Sequence, residues 1–204
     1  MKKIKTALIS VWDKTDIIEF AQFLVKHNIQ ILSTGGTKKV LEKNNIEVTP
    51  ISEITNQKEI MNGRVKTLDP KIFGGILADR NNKNHIDDLE KMNSFCIDIV
   101  IVNLYPFKSE VIDKNLKILD SIEFIDIGGP SMLRAAAKNH ENVIPICNTK
   151  DYNKFKSLYN NNDGEISVEE RLRFAVKVFK LTYNYDNLVC NYFSNKKKAF
   201  NIQC

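Results

Sequence analysis

The chain has 204 residues, of which 43% are hydrophobic and 27% are charged, and its formal net charge is +5 at pH 7. This length and apolar content favour one domain with a packed core. Because 30 basic residues face 25 acidic ones, the mild positive charge suits a small anionic ligand and does not by itself indicate DNA or RNA. No stretch has the length of a membrane span, and the basic N-terminus lacks the apolar core of a signal peptide. We therefore expect a cytoplasmic protein.

The cysteines show no metal-binding or disulfide pattern. Cys96, Cys147, Cys190 and Cys204 lie far apart, without a Cys-x-x-Cys pair and without histidines at zinc spacing. We expect reduced thiols and no metal site.

Short apolar strands alternate with helices in the first 50 residues. Strands are predicted at 7–11, 29–32 and 48–51, and amphipathic helices at 17–25 and 38–43. Because strand, turn, helix and strand recur in short units, the pattern predicts an α/β fold with a parallel sheet.

The same alternation continues to the end of the chain. We predict strands at 97–102 and 143–147, and helices at 52–62, 85–92, 119–125, 151–159 and 167–181. Residues 62–75 are too polar and too rich in Gly and Pro for a regular element, so they are predicted to form a functional loop. Residues 1–150 are expected to form the core. Residues 151–204 are expected to form a helical extension and a linker, with 195–198 as a frayed end.

A loop rich in glycine and hydroxyl groups follows the second predicted strand at residues 33–37. Gly35 and Gly36 allow a nest of backbone N–H groups in front of a helix, which suits a phosphate monoester. The loop matches neither the Walker A pattern nor the dinucleotide-binding pattern. The alternative is an ordinary strand-to-helix turn that Thr37 caps.

Polar residues follow several predicted strands. Ligands of open α/β sheets bind at the carboxyl ends of strands, so residues 12–14, Asn103, Tyr105 and Asp126 are expected at one rim. Arg64 and Lys66 flank Val65 and would point the same way in an extended segment. The alternative for that segment is a mobile basic loop.

The stretch 126–140 combines a carboxylate, two glycines and a helix. Pro130 suits the first helical position, and the following residues are strong helix formers. Arg134 and Lys138 lie four apart on one face, which is unfavourable unless Asp126 or a phosphate is near. The alternative is a solvated helix face.

Together these stretches resemble the inosine monophosphate cyclohydrolase domain, a family that bifunctional purine biosynthesis proteins join to a formyltransferase. The resemblance covers roughly residues 6–193 and rests on several separated motifs, so it is more specific than any one of them. The motifs lie at 10–14, 33–37, 63–70, 103–107, 126–129 and 135–140.

The resemblance implies a methylglyoxal synthase-like, three-layer fold, with a mostly parallel sheet between helices and a C-terminal helical extension. It implies closure of 5-formamidoimidazole-4-carboxamide ribonucleotide to inosine monophosphate and water. No cofactor, metal, nucleic acid or membrane is implied. The sequence leaves open whether the chain forms a homodimer.

The family's functional positions carry over residue by residue. The resemblance assigns catalysis to Lys66, Tyr105, Asp126 and Lys138. It assigns substrate binding to Trp12, Asp13, Lys14, Ser33, Thr34, Gly35, Gly36, Thr37, Arg64, Val65, Thr67, Asn103, Ile127 and Gly128. Lys138 would act as general acid or stabilise the oxyanion, and Asp126 would orient the carboxamide and take its proton.

Four positions depart from the family pattern. The family usually has serine at Trp12, histidine at Asp69 and Phe73, and often histidine at Lys180. Trp12 would crowd the phosphate rim, and Asp69 would place a carboxylate beside the lysine loop.

Other interpretations stay open. One is a methylglyoxal synthase-like lyase, which would leave the stretches around Lys66 and Lys138 unexplained. Another is a catalytically altered nucleotide-binding module, and a third is a nucleic-acid binder that uses the basic tail. The formyltransferase half is absent from these 204 residues. We expect either an excised domain, with that half in cis in the parent protein, or a stand-alone cyclohydrolase.

Overall fold

A five-stranded sheet forms the centre of the protein in the computed structural model, which describes residues 3–58 and 60–199. The strand order is β3-β2-β1-β4-β5, and all four neighbouring pairs are parallel. The strands are β1 (Thr6–Val11), β2 (Gln30–Ser33), β3 (Thr49–Pro50), β4 (Ile99–Asn103) and β5 (Ile144–Ile146).

Helices connect the strands and cover both faces of the sheet. They are α1 (Ile17–Lys26), α2 (Gly35–Lys43), α3 (Ile51–Thr55), α4 (Pro70–Leu77), α5 (Lys83–Lys91), α6 (Ile118–Ser121), α7 (Gly128–Lys138), α8 (Asp151–Asn161) and α9 (Val168–Ala199). The strands are apolar on both sides because a parallel sheet buries both of its faces.

Two apolar layers enclose the sheet. On one face α1 packs on α8, and the Phe20 and Tyr152 rings stack with centroids 4.4 Å apart. On the other face Ile76 of α4, Met132 of α7 and Val178 of α9 are buried in a second cluster. The predicted three-layer α/β fold is therefore confirmed.

The last helix is longer than the sequence pattern suggested. The frayed end predicted at 195–198 is wrong, because α9 continues to Ala199. Its second half buries Tyr185 and Tyr192 against Phe107 and Val111, which form a third cluster. The division of the chain at residue 150 stays a prediction. The last part of the predicted linker, including Cys204, lies outside the described residues.

Two helices begin where the sequence analysis predicted loop. α4 starts at Pro70, inside the segment that was judged too polar for a regular element. Asp69 caps α4, since its carboxylate accepts a hydrogen bond from the Lys71 N–H at 2.8 Å, and Pro70 needs no such partner. α2 starts at Gly35, three residues earlier than predicted, with Thr34 at the N-cap position.

Across residues 3–58 and 60–199, the helices are too short or too polar to cross a bilayer. The same residues contain no group of three or more histidine, cysteine or acidic side chains placed to hold a metal ion. Cys96, Cys147 and Cys190 carry free thiols.

Candidate active site

The strand order reverses between β1 and β4, and in open α/β sheets such a reversal opens a crevice at the carboxyl ends of the strands. Asn103 closes the bottom of this crevice. Its Oδ1 accepts the N–H groups of Trp12 at 2.6 Å and Asp13 at 2.9 Å, and its Nδ2 donates to the Asp13 carbonyl at 2.9 Å. Asn103 therefore fixes the loop after β1 and brings two predicted binding segments together.

Side chains of the same loop are tied down locally. The Lys14 ammonium donates to the carbonyls of Val11 at 3.1 Å and Trp12 at 3.0 Å. The Asp13 carboxylate accepts the N–H and hydroxyl of Thr15, and these bonds lower the pKa of Asp13. The loop thus presents one cation and one stable anion at the rim.

The glycine loop uses its hydroxyl groups differently from the prediction. Ser33 is fully buried and donates to the Ile9 carbonyl at 2.7 Å. The buried Thr37 hydroxyl donates to the Val11 carbonyl at 2.9 Å and accepts the Val11 N–H at 3.0 Å. In this structure these side chains anchor the loop to β1, and their part in substrate binding stays a prediction.

The other three residues of the predicted phosphate loop, Thr34, Gly35 and Gly36, lie at the start of α2. Gly35 has φ +54°, which favours glycine, and Gly36 borders open space. The first N–H groups of a helix lack acceptors within that helix, so this end of α2 suits an anion.

The segment that carries Lys66 bridges the N-termini of two helices. The Lys66 Nζ lies 3.4 Å from the position that a Cβ on Gly35 would occupy, so the ammonium is beside the start of α2. The buried Thr67 Oγ1 lies 3.1 Å from the corresponding position on Gly128, at the start of α7. Both helix ends therefore meet around one lysine and one threonine.

Arg64 and Lys66 were predicted to lie in one extended segment, but Arg64 does not have an extended backbone. Its backbone is helical, with φ −65° and ψ −27°, while Val65 next to it forms a bridge with Ile60. The exposed Arg64 pairs with Glu123, and this hydrogen bond raises the pKa of the guanidinium. Glu123 was not among the predicted site residues, because no local motif links it to Arg64.

Asp126 is held in a tight pocket before α7. Its Oδ1 accepts the Gly129 N–H at 2.8 Å, and a Cβ on Gly129 would stand only 2.4 Å from its Oδ2. Burial raises the pKa of Asp126, while backbone N–H groups of Gly129 and Tyr105 oppose that shift. A raised pKa makes a carboxylate a stronger proton acceptor.

Tyr185 of α9 supports this carboxyl from behind. Its hydroxyl accepts the Asp126 N–H at 2.7 Å, and burial raises the pKa of the Tyr185 phenol to about 12. The sequence analysis did not select Tyr185. Its spacing of seven from the buried Val178 and Tyr192 is the signal that identifies its face as buried.

Two predicted site residues are exposed aromatic side chains at the rim. Tyr105 follows β4 and Trp12 follows β1, with their ring centroids 6.0 Å apart. Ile127, between Asp126 and α7, is also exposed. These side chains border the opening of the crevice.

Lys138 does not join this group within one chain. It is the last residue of α7, and ten rises of 1.5 Å place its Cα about 15 Å from that of Gly128. The neighbouring Asn139 donates to the carbonyls of Ile76 and Ala78, at the far end of α4. The length of α7 thus separates Lys138 from the start of that helix in its own chain, and its catalytic role stays a prediction.

Arg134 also points away from the crevice. Its guanidinium lies over the Phe179 ring of α9, 5.7 Å from the centroid. The helix begins at Gly128, so Pro130 is its third residue and not its first. Asp126 is consequently not the anion that relieves the repulsion between Arg134 and Lys138.

The chain belongs to the family described as the MGS-like domain, whose model matches residues 16–131. A second model, described as the AICARFT/IMPCHase bienzyme, matches residues 136–204. The family resemblance predicted from the motifs is confirmed by these matches.

Similar proteins include two with the name "Bifunctional purine biosynthesis protein PurH". The one from Brachyspira hyodysenteriae is 52% identical over 196 residues, which are 96% of this chain and 38% of that protein. The one from Fusobacterium nucleatum is 53% identical over 188 residues, which are 92% and 37%. The chain thus spans less than two fifths of the length of these relatives.

A solved structure has nearly the same extent as this chain. It is titled "Crystal structure of ForH" and superposes with a TM-score of 0.83 at 32% identity, covering 93% of this chain and 97% of that one. The likeness supports the same arrangement of the sheet and both helical layers.

Proposed function

We propose that the chain is an inosine monophosphate cyclohydrolase. It closes the six-membered ring of 5-formamidoimidazole-4-carboxamide ribonucleotide and releases water. The observation that carries the proposal is the bridge of Lys66 and Thr67 between the starts of α2 and α7, beside Asp126 with its raised pKa. The bienzyme model and the purine biosynthesis names of the relatives support this reaction.

The starts of α2 and α7 bind different parts of the nucleotide. The start of α2 holds the 5′-phosphate through its backbone N–H groups, with Lys14 and Lys66 supplying positive charge. Thr67 and the backbone at Ile127 and Gly128 face the heterocycle and its two substituents. This leaves the carboxamide and formyl groups near Asp126.

Ring closure joins the carboxamide nitrogen to the formyl carbon. Asp126 takes the nitrogen proton, while N–H groups at the start of α7 and the Lys66 ammonium stabilise the negative charge on the formyl oxygen. The oxygen takes up the proton that Asp126 accepted and becomes a hydroxyl. It leaves as water with the proton of the formamide nitrogen, as the C=N bond forms between that nitrogen and the formyl carbon. Since both reacting groups belong to one substrate, the site mainly selects the conformer that brings them together.

We infer that Lys138 contributes from a second copy of the chain. The family resemblance gives it a catalytic role, while its exposed position lies a helix length from its own Asp126. In a two-fold symmetric dimer, Lys138 of each copy could reach the cleft of the other copy. This arrangement would explain both its catalytic role and its distance from Asp126 of the same chain. We also propose a homodimer and a cytoplasmic location. A further proposal is a transferase domain in the same polypeptide, as the bifunctional names of the relatives suggest.

The contribution of Lys138 is tested by mixing variants. We expect Lys138→Ala and Asp126→Asn each to lose ring closure, because each breaks both clefts of a pair of identical copies. After mixing with subunit exchange, random pairing should restore about a quarter of wild-type activity, because half of the pairs are mixed and each has one intact cleft. Sedimentation measures whether pairs form. Full activity of Lys138→Ala alone, or a mixture that stays inactive, contradicts the inference.

The reaction itself is tested by direct turnover. The purified chain is incubated with the formylated ribonucleotide, and inosine monophosphate is quantified by chromatography. We expect saturable product formation that Asp126→Asn lacks, and no methylglyoxal from dihydroxyacetone phosphate, the substrate of the lyase alternative. Nucleotide binding without turnover would instead favour a non-catalytic binding module.

A further inference from the structure

An aromatic corner stands at the opening of the crevice. The side chains of Trp12 and Tyr105 keep 42% and 44% of their surface exposed, and their ring centroids are 6.0 Å apart with planes inclined by 56°. Phe124 packs edge-on against Tyr105 at 6.4 Å. Tilted aromatic contacts of this kind stabilise the rings against each other and leave outer faces open for a further planar group.

The backbone beneath this corner is held firmly. Asn103 binds the Trp12 N–H at 2.6 Å, and Thr37 binds both the N–H and the carbonyl of the preceding Val11. A fixed backbone and few rotatable bonds lower the entropy that an aromatic side chain loses when a ligand binds.

The surroundings of the corner select the class of ligand. Lys14 donates to the carbonyl of Trp12 itself, and Lys66 reaches the start of α2, so two ammonium groups are available to an anionic group in the crevice. Asp126, on the other side, accepts a hydrogen bond from the Tyr105 backbone. A ligand that combines an anionic group with a planar, polar ring matches these contacts better than an aliphatic phosphate ester does.

We propose that Trp12, together with Tyr105, forms a stacking wall for the heterocycle of the bound nucleotide and so determines specificity for a base-carrying phosphate ester. This inference rests on the proposed function. It gives Trp12, which the family resemblance places among the binding positions and which departs from the usual serine there, the specific role of stacking on the base. The phosphate itself is held at the start of α2, separately from the wall.

Fluorescence and calorimetry test the wall directly, because Trp12 is the only tryptophan in the chain. Inosine monophosphate should change the Trp12 emission in a saturable way, and ribose 5-phosphate, which lacks the heterocycle, should compete without the same change. Calorimetry should show that Trp12→Ala binds inosine monophosphate roughly 5- to 150-fold more weakly, the range for loss of one aromatic stacking partner. Trp12→Phe should keep most of the affinity, and ribose 5-phosphate should bind both variants as it binds the wild type.

Tyr183→Ala is the matched control, because Tyr183 is an aromatic side chain of α9 that is 69% exposed. It should leave both affinities unchanged. Equal losses for the two ligands in Trp12→Ala, or unchanged affinity for inosine monophosphate, overturn the stacking wall while leaving the cyclohydrolase proposal intact. If the wild type binds no inosine monophosphate in calorimetry, the proposed function and the wall both fail.

Discussion

Asp126→Asn is expected to lower kcat for ring closure by about 10²- to 10⁴-fold, the usual contribution of a positioned proton acceptor. Asparagine has nearly the same shape, and its amide oxygen can still accept the Gly129 N–H, so the pocket should persist. What it loses is the ability to take the carboxamide proton. Single-turnover measurements with the formylated ribonucleotide would isolate this step from product release. A variant with wild-type kcat would remove Asp126 from the mechanism.

The pH dependence gives the same variant a second readout. Because burial raises the pKa of Asp126, the acid limb of kcat/KM should lie above the ordinary aspartate value of about 3.9. A raised pKa in the folded state also means that the stability contributed by the protonated carboxyl is present at low pH and lost as pH rises through that pKa. Asparagine has no such dependence on pH. The unfolding temperature of Asp126→Asn, relative to that of the wild type, should therefore be higher at pH 8 than at pH 4. An acid limb at the ordinary value, or the opposite order of stability, contradicts the burial argument.

Lys66→Met is expected to lower kcat/KM by about 10²- to 10³-fold, similar to the loss of one preorganised donor that stabilises an oxyanion. Methionine keeps the length of the side chain and fills the space over Gly35, but it carries no charge to stabilise the phosphate or the developing oxyanion. The matched control is Lys39→Met on α2, which changes the net charge equally at an exposed position. Steady-state rates at low and high ionic strength would separate a local effect from loss of general electrostatic attraction. Similar rates for the two variants would exclude a specific role for Lys66.

The layers of the fold were predictable because burial of a parallel sheet leaves a strong mark on a sequence. β1 and β4 are almost entirely apolar, and the apolar residues of α1 recur at helical spacing. The start of α4 was missed because Gly and Pro were counted as loop residues. The Asp69–Pro70 pair is in fact a helix start signal, in which the aspartate caps and the proline needs no acceptor.

The site was predictable as a set of segments but not as a set of side-chain roles. Ser33 and Thr37 were expected to contact a phosphate, yet the hydroxyls of both donate to backbone carbonyls of β1. The sequence does not show whether such a hydroxyl bonds to the protein backbone or faces the ligand. Lys138 shows the same limit, since the length of α7 separates it from Asp126 although both belong to one recognisable stretch.

The hydrogen bond that the Asp126 N–H donates to the Tyr185 hydroxyl connects the last helix to the proposed proton acceptor. Any fragment that stops before Tyr185 loses the phenol behind Asp126 and uncovers the apolar surface around Phe107 and Val111. Such truncation would disturb the proton acceptor without touching a residue that contacts substrate. We therefore expect the C-terminal helix and the active site to fold cooperatively, so that unfolding of this helix abolishes activity.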